Sequence, residues 1–342
     1  MNSILITGGA GFIGVHSAQY FHNSGWAVSV LDNLSRRGTP ENLAWLQTTV
    51  PVRFIQADVR DNDSMDRVVS ELQPDLLLHL AGQVAVTTSV TDPRTDFEIN
   101  ALGTFNMLEA VRRKSPKTFF INASTNKVYG RMENLDIVER NGRYEYAALP
   151  GGVSEERALD FHSPYGCSKG TGDQYTIDYS RIYGLKTITL RQSCIYGTRQ
   201  FGIEDQGWVA WFVIASVLGK PITIFGDGKQ VRDVLYVNDL VQAYEAAWAH
   251  RAEASGQAFN IGGGPASAIS LRELINQLES ICGNKIPLNW SEWRPGDQPV
   301  FVCNVTKAKK VLGWRPLIGF GEGLRKLVAW ARENKSLFKV LK

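Results

Sequence analysis

The segment that most restricts the fold of this chain is Thr7-Gly8-Gly9-Ala10-Gly11-Phe12-Ile13-Gly14, which follows directly on the apolar run Ile4-Leu5-Ile6 and opens a helical pattern. Strand, glycine turn and helix in that order bring backbone where side chains would obstruct a phosphate. They also aim the free N–H groups and positive dipole end of the helix at it. Gly8, Gly11, Phe12, Ile13 and Gly14 are therefore candidate contacts to a dinucleotide. For a glycine cluster standing alone, a plain tight turn is the competing reading.

The first half of the chain supplies a context. Short β-branched runs alternate with longer amphipathic stretches, the βαβ rhythm of a parallel, doubly wound sheet. Strands are expected at residues 3–7, 27–31, 53–56, 76–80, 118–123 and 187–191. Right-handed crossovers then stack helices on both faces, and ligands gather beyond the carboxyl ends of the strands. From about Tyr196 the rhythm loosens: residues 208–218 and 271–280 read as helices and 222–225 as a short strand. The stretch 231–248 reads as strand then helix and returns to the first lobe.

At 342 residues, two lobes with a cleft between them are the natural outcome. The expected class is α/β. A Rossmann doubly wound parallel sheet, formed by residues 1–195 and about 232–257, is interleaved with a smaller α/β substrate-binding lobe of residues 196–231 and 258–342.

Net charge is +3, with Lys and Arg dispersed among acids, which leaves no stripe for nucleic acid. No apolar run reaches membrane-spanning length. Met1-Asn2-Ser3 leads straight into a strand without a basic n-region, so a cytoplasmic location is expected. Cys167, Cys194, Cys282 and Cys303 lie far apart without CxxC spacing, and no HExxH occurs, so reduced thiols and no metal are expected.

Asp32 closes the second strand, where a carboxylate accepts hydrogen bonds from adenosine ribose hydroxyls and repels a 2′-phosphate, favouring NAD over NADP. Asn33, Ser35 and Arg36 follow as further candidate contacts. Arg36 and Arg37 also suit a 2′-phosphate or a solvated loop. Asp58-Val59 suits the adenine amine, although capping of the helix that begins near Asp61 competes evenly. His79-Leu80-Ala81-Gly82-Gln83 ends the fourth strand, and its small residues let backbone pass the cofactor, with Leu80, Ala81 and Gln83 as contacts. His79 itself reads as a core histidine.

Tyr165-Gly166-Cys167-Ser168-Lys169 sets a phenol and an ammonium one helical turn apart. The cation is expected to lower the phenol pKa so that it takes a hydroxyl proton. A surface pair is the competing reading of this motif in isolation. Thr125, expected just past the fifth strand in Ser124-Thr125-Asn126-Lys127-Val128-Tyr129, adds a hydroxyl to hold the reacting oxygen. Ser124 is a neighbour or a strand-end cap. Asn100 either orients water or backbone near Lys169 or is an ordinary helix residue. Arg232, after Gly226-Asp227-Gly228, and Arg294 offer forks for a diphosphate, against surface ion pairs. Asp239 is expected to cap a helix.

In combination, TGGAGFIG, the Asp32 strand end, the Ser124-Thr125 motif and YGCSK resemble the extended short-chain dehydrogenase/reductase family over nearly the whole chain. The resemblance implies a Rossmann domain, a Thr125, Tyr165, Lys169 triad, tightly bound NAD recycled within each turnover, and a homodimer or homotetramer. The loops bearing Arg232 and Arg294 resemble the nucleotide-sugar branch, where matching arginines grip the diphosphate.

The segments DFHSPYGCSKG, HLAGQVAVTTS and residues 199–209 resemble the members that act on CDP-linked sugars, which implies inversion at C2 through a transient 2-keto sugar. Asn126-Lys127 stands where sugar 4,6-dehydratases carry Asp-Glu, and Cys194 where many relatives carry an asparagine. Thr88, Asn126, Tyr196 and Gln206 complete the expected sugar pocket. A 4-epimerase or dehydratase is the next reading, and a non-catalytic NAD sensor a distant third.

Overall fold

The computed structural model describes residues 1–294 and 297–338. Seven strands, β1 (Ser3–Thr7), β2 (Ala27–Asp32), β3 (Arg53–Gln56), β4 (Leu76–His79), β5 (Phe119–Thr125), β6 (Thr187–Gln192) and β7 (Gln257–Ile261), form one sheet. Their order is β7-β6-β5-β4-β1-β2-β3, and every neighbouring pair is parallel. The winding reverses at β1, which lies between β2 and β4, and a crevice opens there at the carboxyl ends.

Runs such as Ile4-Leu5-Ile6 and Leu76-Leu77-Leu78 are apolar without alternation because both faces of the sheet are covered. Ile4, Ile6 and Leu78 face Val15, Phe21, Leu240 and Tyr244 on one side. Leu5 and Leu77 face Met65, Met107 and Val111 on the other. Each such aliphatic side chain, fully buried, contributes about 1.5–3 kcal/mol.

The strand ends extend further than expected. The second takes in Asp32, the fifth Thr125 and the sixth Gln192, so Thr125 is the last residue of a strand and is held by the ladder pairing Thr125 with Gln192. Residues 258–261, expected in the second lobe, pair with β6 instead as the sheet edge. Five residues between Gly256 and Gly262 carry too short a pattern to reveal which sheet they join.

The second lobe packs the helices Trp208–Leu218, Leu271–Cys282 and Phe320–Glu333 around Val213, Ile224, Leu274 and Leu324. Ser270 and Glu273 close a reciprocal capping box on the second of these. Strand Val231–Tyr236 is the seam: it pairs with Cys194–Tyr196 just beyond β6, and with Ala268–Ser270 and Val300–Phe301. Asp239 is not a cap. It lies in the first turn of helix Val237–Ala249, and its Oδ2 accepts the N–H groups of Leu317 (3.0 Å) and Ile318 (2.8 Å), fastening the C-terminal loop. Among the described residues no helix is long and apolar enough to cross a membrane.

Candidate active site

A cleft of about 560 Å³ runs from the glycine turn along the carboxyl ends of the strands to the second lobe. Its first wall is backbone. Gly8 has φ +66°, and a Cβ there would lie 2.7 Å from Ala81 N. A Cβ on Gly14 would lie 2.4 Å from Gly8 O, so helix and turn touch without side chains between them. Helix Phe12–Asn23 starts at Gly11 with no side-chain cap, leaving its first N–H groups to the cleft. This cradle fits a dinucleotide pyrophosphate.

Asp32, 7% exposed, accepts from Leu34 N (2.8 Å) and Ala10 N (3.1 Å), which aims its carboxylate at the same cleft. Burial raises its pKa, against those N–H groups and Arg36. Asn33 Nδ2 donates to Asp58 Oδ2 (2.8 Å), and Arg60 beside Asp58 holds its carboxyl down at about 2. The competing helix cap belongs to Asp61, which accepts from Ser64 N at 3.1 Å. Ser35 bonds Asn33 Oδ1, whereas Arg36 reaches across the cleft to Gln206. Val59, Leu80 and Ala81 line the cleft.

Gln83 and Asn100 lie behind the wall. Gln83 turns its amide to Ala85 O and Asp96 Oδ1, both at 2.8 Å. Asn100, 1% exposed, sits in a π-helical turn, Glu98–Leu102, and binds Gln83 N, Gln83 O, Asp96 and Ser168. A Cβ on Gly82 would lie 3.0 Å from Asn100 Oδ1 and 3.7 Å from Lys169 Nζ, so Asn100 shapes the backbone beside the lysine.

Tyr165 and Lys169 share the cleft face of helix Ser163–Tyr183 and are 8% and 7% exposed. Tyr165 hydrogen-bonds Thr125. Lys169 Nζ donates to Ala123 O (2.6 Å), and Ser124 Oγ to Asp173 Oδ2 (2.6 Å). Asp173 in turn pairs with buried Arg191 on β6 at 2.9 Å, clamping the helix to the end of β5. The phenol differs from expectation: burial and then Asp96 raise its pKa, with Thr125 and Arg36 opposing, and Lys169 is not among the causes. Burial also draws Lys169 down to about 8, against Asp173 and Asp96. Desolvation, and not the charge pairing that the motif suggests, sets the direction of both shifts.

On the far wall, Arg232 Nη2 binds Asp297 Oδ1 (2.6 Å), and Arg294 pairs with Asp205 (2.9 Å) while its guanidinium lies 3.9 Å over the Phe225 ring. Both arginines are ion-paired and both line the cleft with Asn126 and Gln206. Pro295 and Gly296 of the Arg294 loop lie outside the described residues.

Two expected pocket residues lie elsewhere. Helix Val86–Thr91 exposes Thr88 to solvent and turns Thr87 to the cleft. Tyr196, 1% exposed, packs edge-on against Tyr236 and Phe320 and donates to Phe320 O (3.2 Å). One residue of helical phase decides the first, and the polar tip of a core tyrosine mimics a binding group in the second. Lys127, Gln230 and Asp297 line the cleft without having been expected there. The basic residue in Asn126-Lys127 was the one available signal.

The model of the family described as GDP-mannose 4,6 dehydratase matches residues 5–327. CDP-paratose 2-epimerase of Salmonella typhi is 44% identical over 332 residues, 96% of this chain and 98% of that protein. Two solved structures are each 33% identical and cover 97% of this chain and 99% of theirs. They are UDP-glucose 4-epimerase with UDP-glucose from Thermotoga maritima, TM-score 0.84, and UDP-glucose 4-epimerase in complex with NAD from Thermus thermophilus, TM-score 0.81.

Proposed function

The chain belongs to the extended short-chain dehydrogenase/reductase family, and on that footing we propose that it inverts C2 of a CDP-linked sugar of the paratose and tyvelose kind. It is an NAD-dependent nucleotide-sugar epimerase. The likeness to CDP-paratose 2-epimerase along 96% of the chain carries the finer reading. Asn126-Lys127 beside Thr125 supports it, because that position has no carboxylate to drive loss of water from the ring. A cytoplasmic homodimer or homotetramer is part of the same proposal.

NAD, when bound, supplies the acceptor and donor of one hydride at the sugar carbon. In this reading the glycine turn, Asp32, Asn33 and Asp58 bind the cofactor, and Tyr165, Thr125 and Lys169 act on the sugar. Thr125 holds the C2 oxygen against Tyr165, its hydrogen-bond partner. Burial raises the phenol pKa, which favours the protonated form that serves as the acid for a 2-keto sugar. To act as the base it requires the positive charge of Lys169, one turn along the helix, and of Arg36, which already pulls against burial. Arg232 and Arg294 bind the diphosphate and leave the sugar ring room to present its other face.

Incubation with CDP-, UDP-, GDP- and dTDP-sugars, read by NMR, tests the reading. Inverted C2 couplings in CDP-paratose are expected, with no deuterium at C2 when the reaction runs in heavy water. Turnover confined to UDP- or dTDP-sugars overturns the CDP assignment, and solvent deuterium at C2 overturns direct return of the hydride.

A further inference from the structure

Lys127 has no part in the machinery described so far, yet it lines the same cleft. It stands in the short 3₁₀ turn Asn126–Tyr129 that follows β5 directly. Its backbone N–H donates to Thr125 Oγ1 (3.3 Å). Its Nζ extends to the opposite wall and donates to Gln298 Oε1 (3.3 Å), the one hydrogen-bond acceptor of that ammonium among the described residues. One residue thus joins the Thr125 hydroxyl to Gln298, which follows the Asp297 that pairs with Arg232.

The charges around Nζ do not balance. Arg232 on strand Val231–Tyr236 repels it, and Asp297 on the far loop attracts it but already serves Arg232 (2.6 Å) and Gln298 N (3.0 Å). Cys194, on the strand beyond β6, is the remaining titratable neighbour and also favours the ammonium. Burial and Arg232 together lower Lys127 to about 8. A buried cation whose carboxylate is shared with a second cation favours an anionic ligand.

The position of that anion bears on which sugar carbon reacts. In a nucleotide sugar the glycosyl phosphate is carried by C1, the immediate neighbour of C2, whereas C4 lies across the ring. Bringing C2 to Tyr165 therefore requires the sugar-proximal phosphate to lie close to the catalytic hydroxyls, and Lys127 is the residue whose backbone adjoins Thr125 while its ammonium spans to Gln298 on the facing wall of the same cleft. We propose that Lys127 binds the sugar-proximal phosphate and thereby sets the register that presents C2, rather than a carbon across the ring, to Tyr165. This rests on the nucleotide-sugar reading above.

Calorimetric titration with CDP and CMP distinguishes the failure of this inference from the failure of that reading. Lys127→Met is expected to weaken CDP about tenfold to a hundredfold, the loss of one charge-assisted contact, while CMP, which lacks the second phosphate, changes little. At pH 8, well above the phosphate titration, the wild-type chain is expected to take up about half a proton per CDP as the phosphate restores the ammonium. Lys127→Met is expected to abolish this uptake. Lys127→Arg is expected to keep tight CDP binding without uptake, since its charge is permanent. NAD content, equal in all three proteins, serves as the folding control.

If the wild-type chain binds CDP and Lys127→Met binds it as tightly, or loses CMP to the same degree, the inference is overturned alone. If the wild-type chain binds no nucleoside diphosphate, the nucleotide-sugar reading falls with it.

Discussion

In the proposed mechanism Tyr165 acts through one oxygen, and its surroundings make that dependence testable. The ring is buried on the cleft face of its helix and the hydroxyl bonds Thr125, so removal of that oxygen leaves the packing intact. Tyr165→Phe is expected to lower turnover about a hundredfold to ten-thousandfold, the usual worth of a positioned acid–base group. NAD content and melting temperature should stay at wild-type values, since the phenyl ring fills the same space. Turnover at the wild-type rate would remove Tyr165 from the mechanism.

Helix Phe12–Asn23 depends on contact with the turn that precedes it. Gly14 lies where helix and turn meet, with Gly8 O at 2.4 Å and Gly9 Cα at 2.6 Å from the place a Cβ would occupy. Backbone cannot swing aside as a long side chain can, so Gly14→Ala must lift the helix from the turn and spoil the anion cradle. Overpacking of this kind costs about 1–3 kcal/mol, a fall of several degrees in melting temperature for a chain of this size. The purified variant should also lose its bound NAD, read from the 260 to 280 nm absorbance ratio. Gly319→Ala is the control, because a Cβ there meets nothing within 4 Å. Retention of NAD by the Gly14 variant would show that the cradle tolerates displacement.

At the scale of the whole molecule, the buried histidines make stability depend on pH. His79, 1% exposed between Thr7 and Thr104, is lowered to about 3 by burial and by Lys169. His16 is lowered to about 4, mainly by burial. Both remain neutral in the folded protein while the unfolded chain takes up protons near pH 6.5, so the unfolded state binds more protons and acid destabilises the fold. Between about pH 6 and 4 His79 alone should contribute roughly 1 kcal/mol of lost stability per pH unit. Denaturant unfolding at pH 7, 6 and 5 measures the slope. His79→Gln, which cannot titrate, should flatten it by that amount, and parallel slopes would contradict the assignment.

The sequence by itself determined the first six strands of the parallel sheet, the glycine turn, Asp32 at a strand end, and the spacing of Tyr165 and Lys169. Each of these is a local property, set by apolar period, backbone freedom or one turn of helix. It did not determine which side of a short helix Thr88 faced, that Tyr196 was core, or that residues 257–261 would close the sheet edge. Those depend on what packs opposite, which no local pattern encodes.

The protonation of Tyr165 belongs to the same class. The motif places a cation nearby, but only the folded cleft sets the burial that raises the phenol pKa. Lys127 was visible as a basic residue, and its nearness to Arg232 came only from two distant segments folding together. Tertiary structure decided these points because burial and the balance of charge are sums over neighbours far apart in the chain.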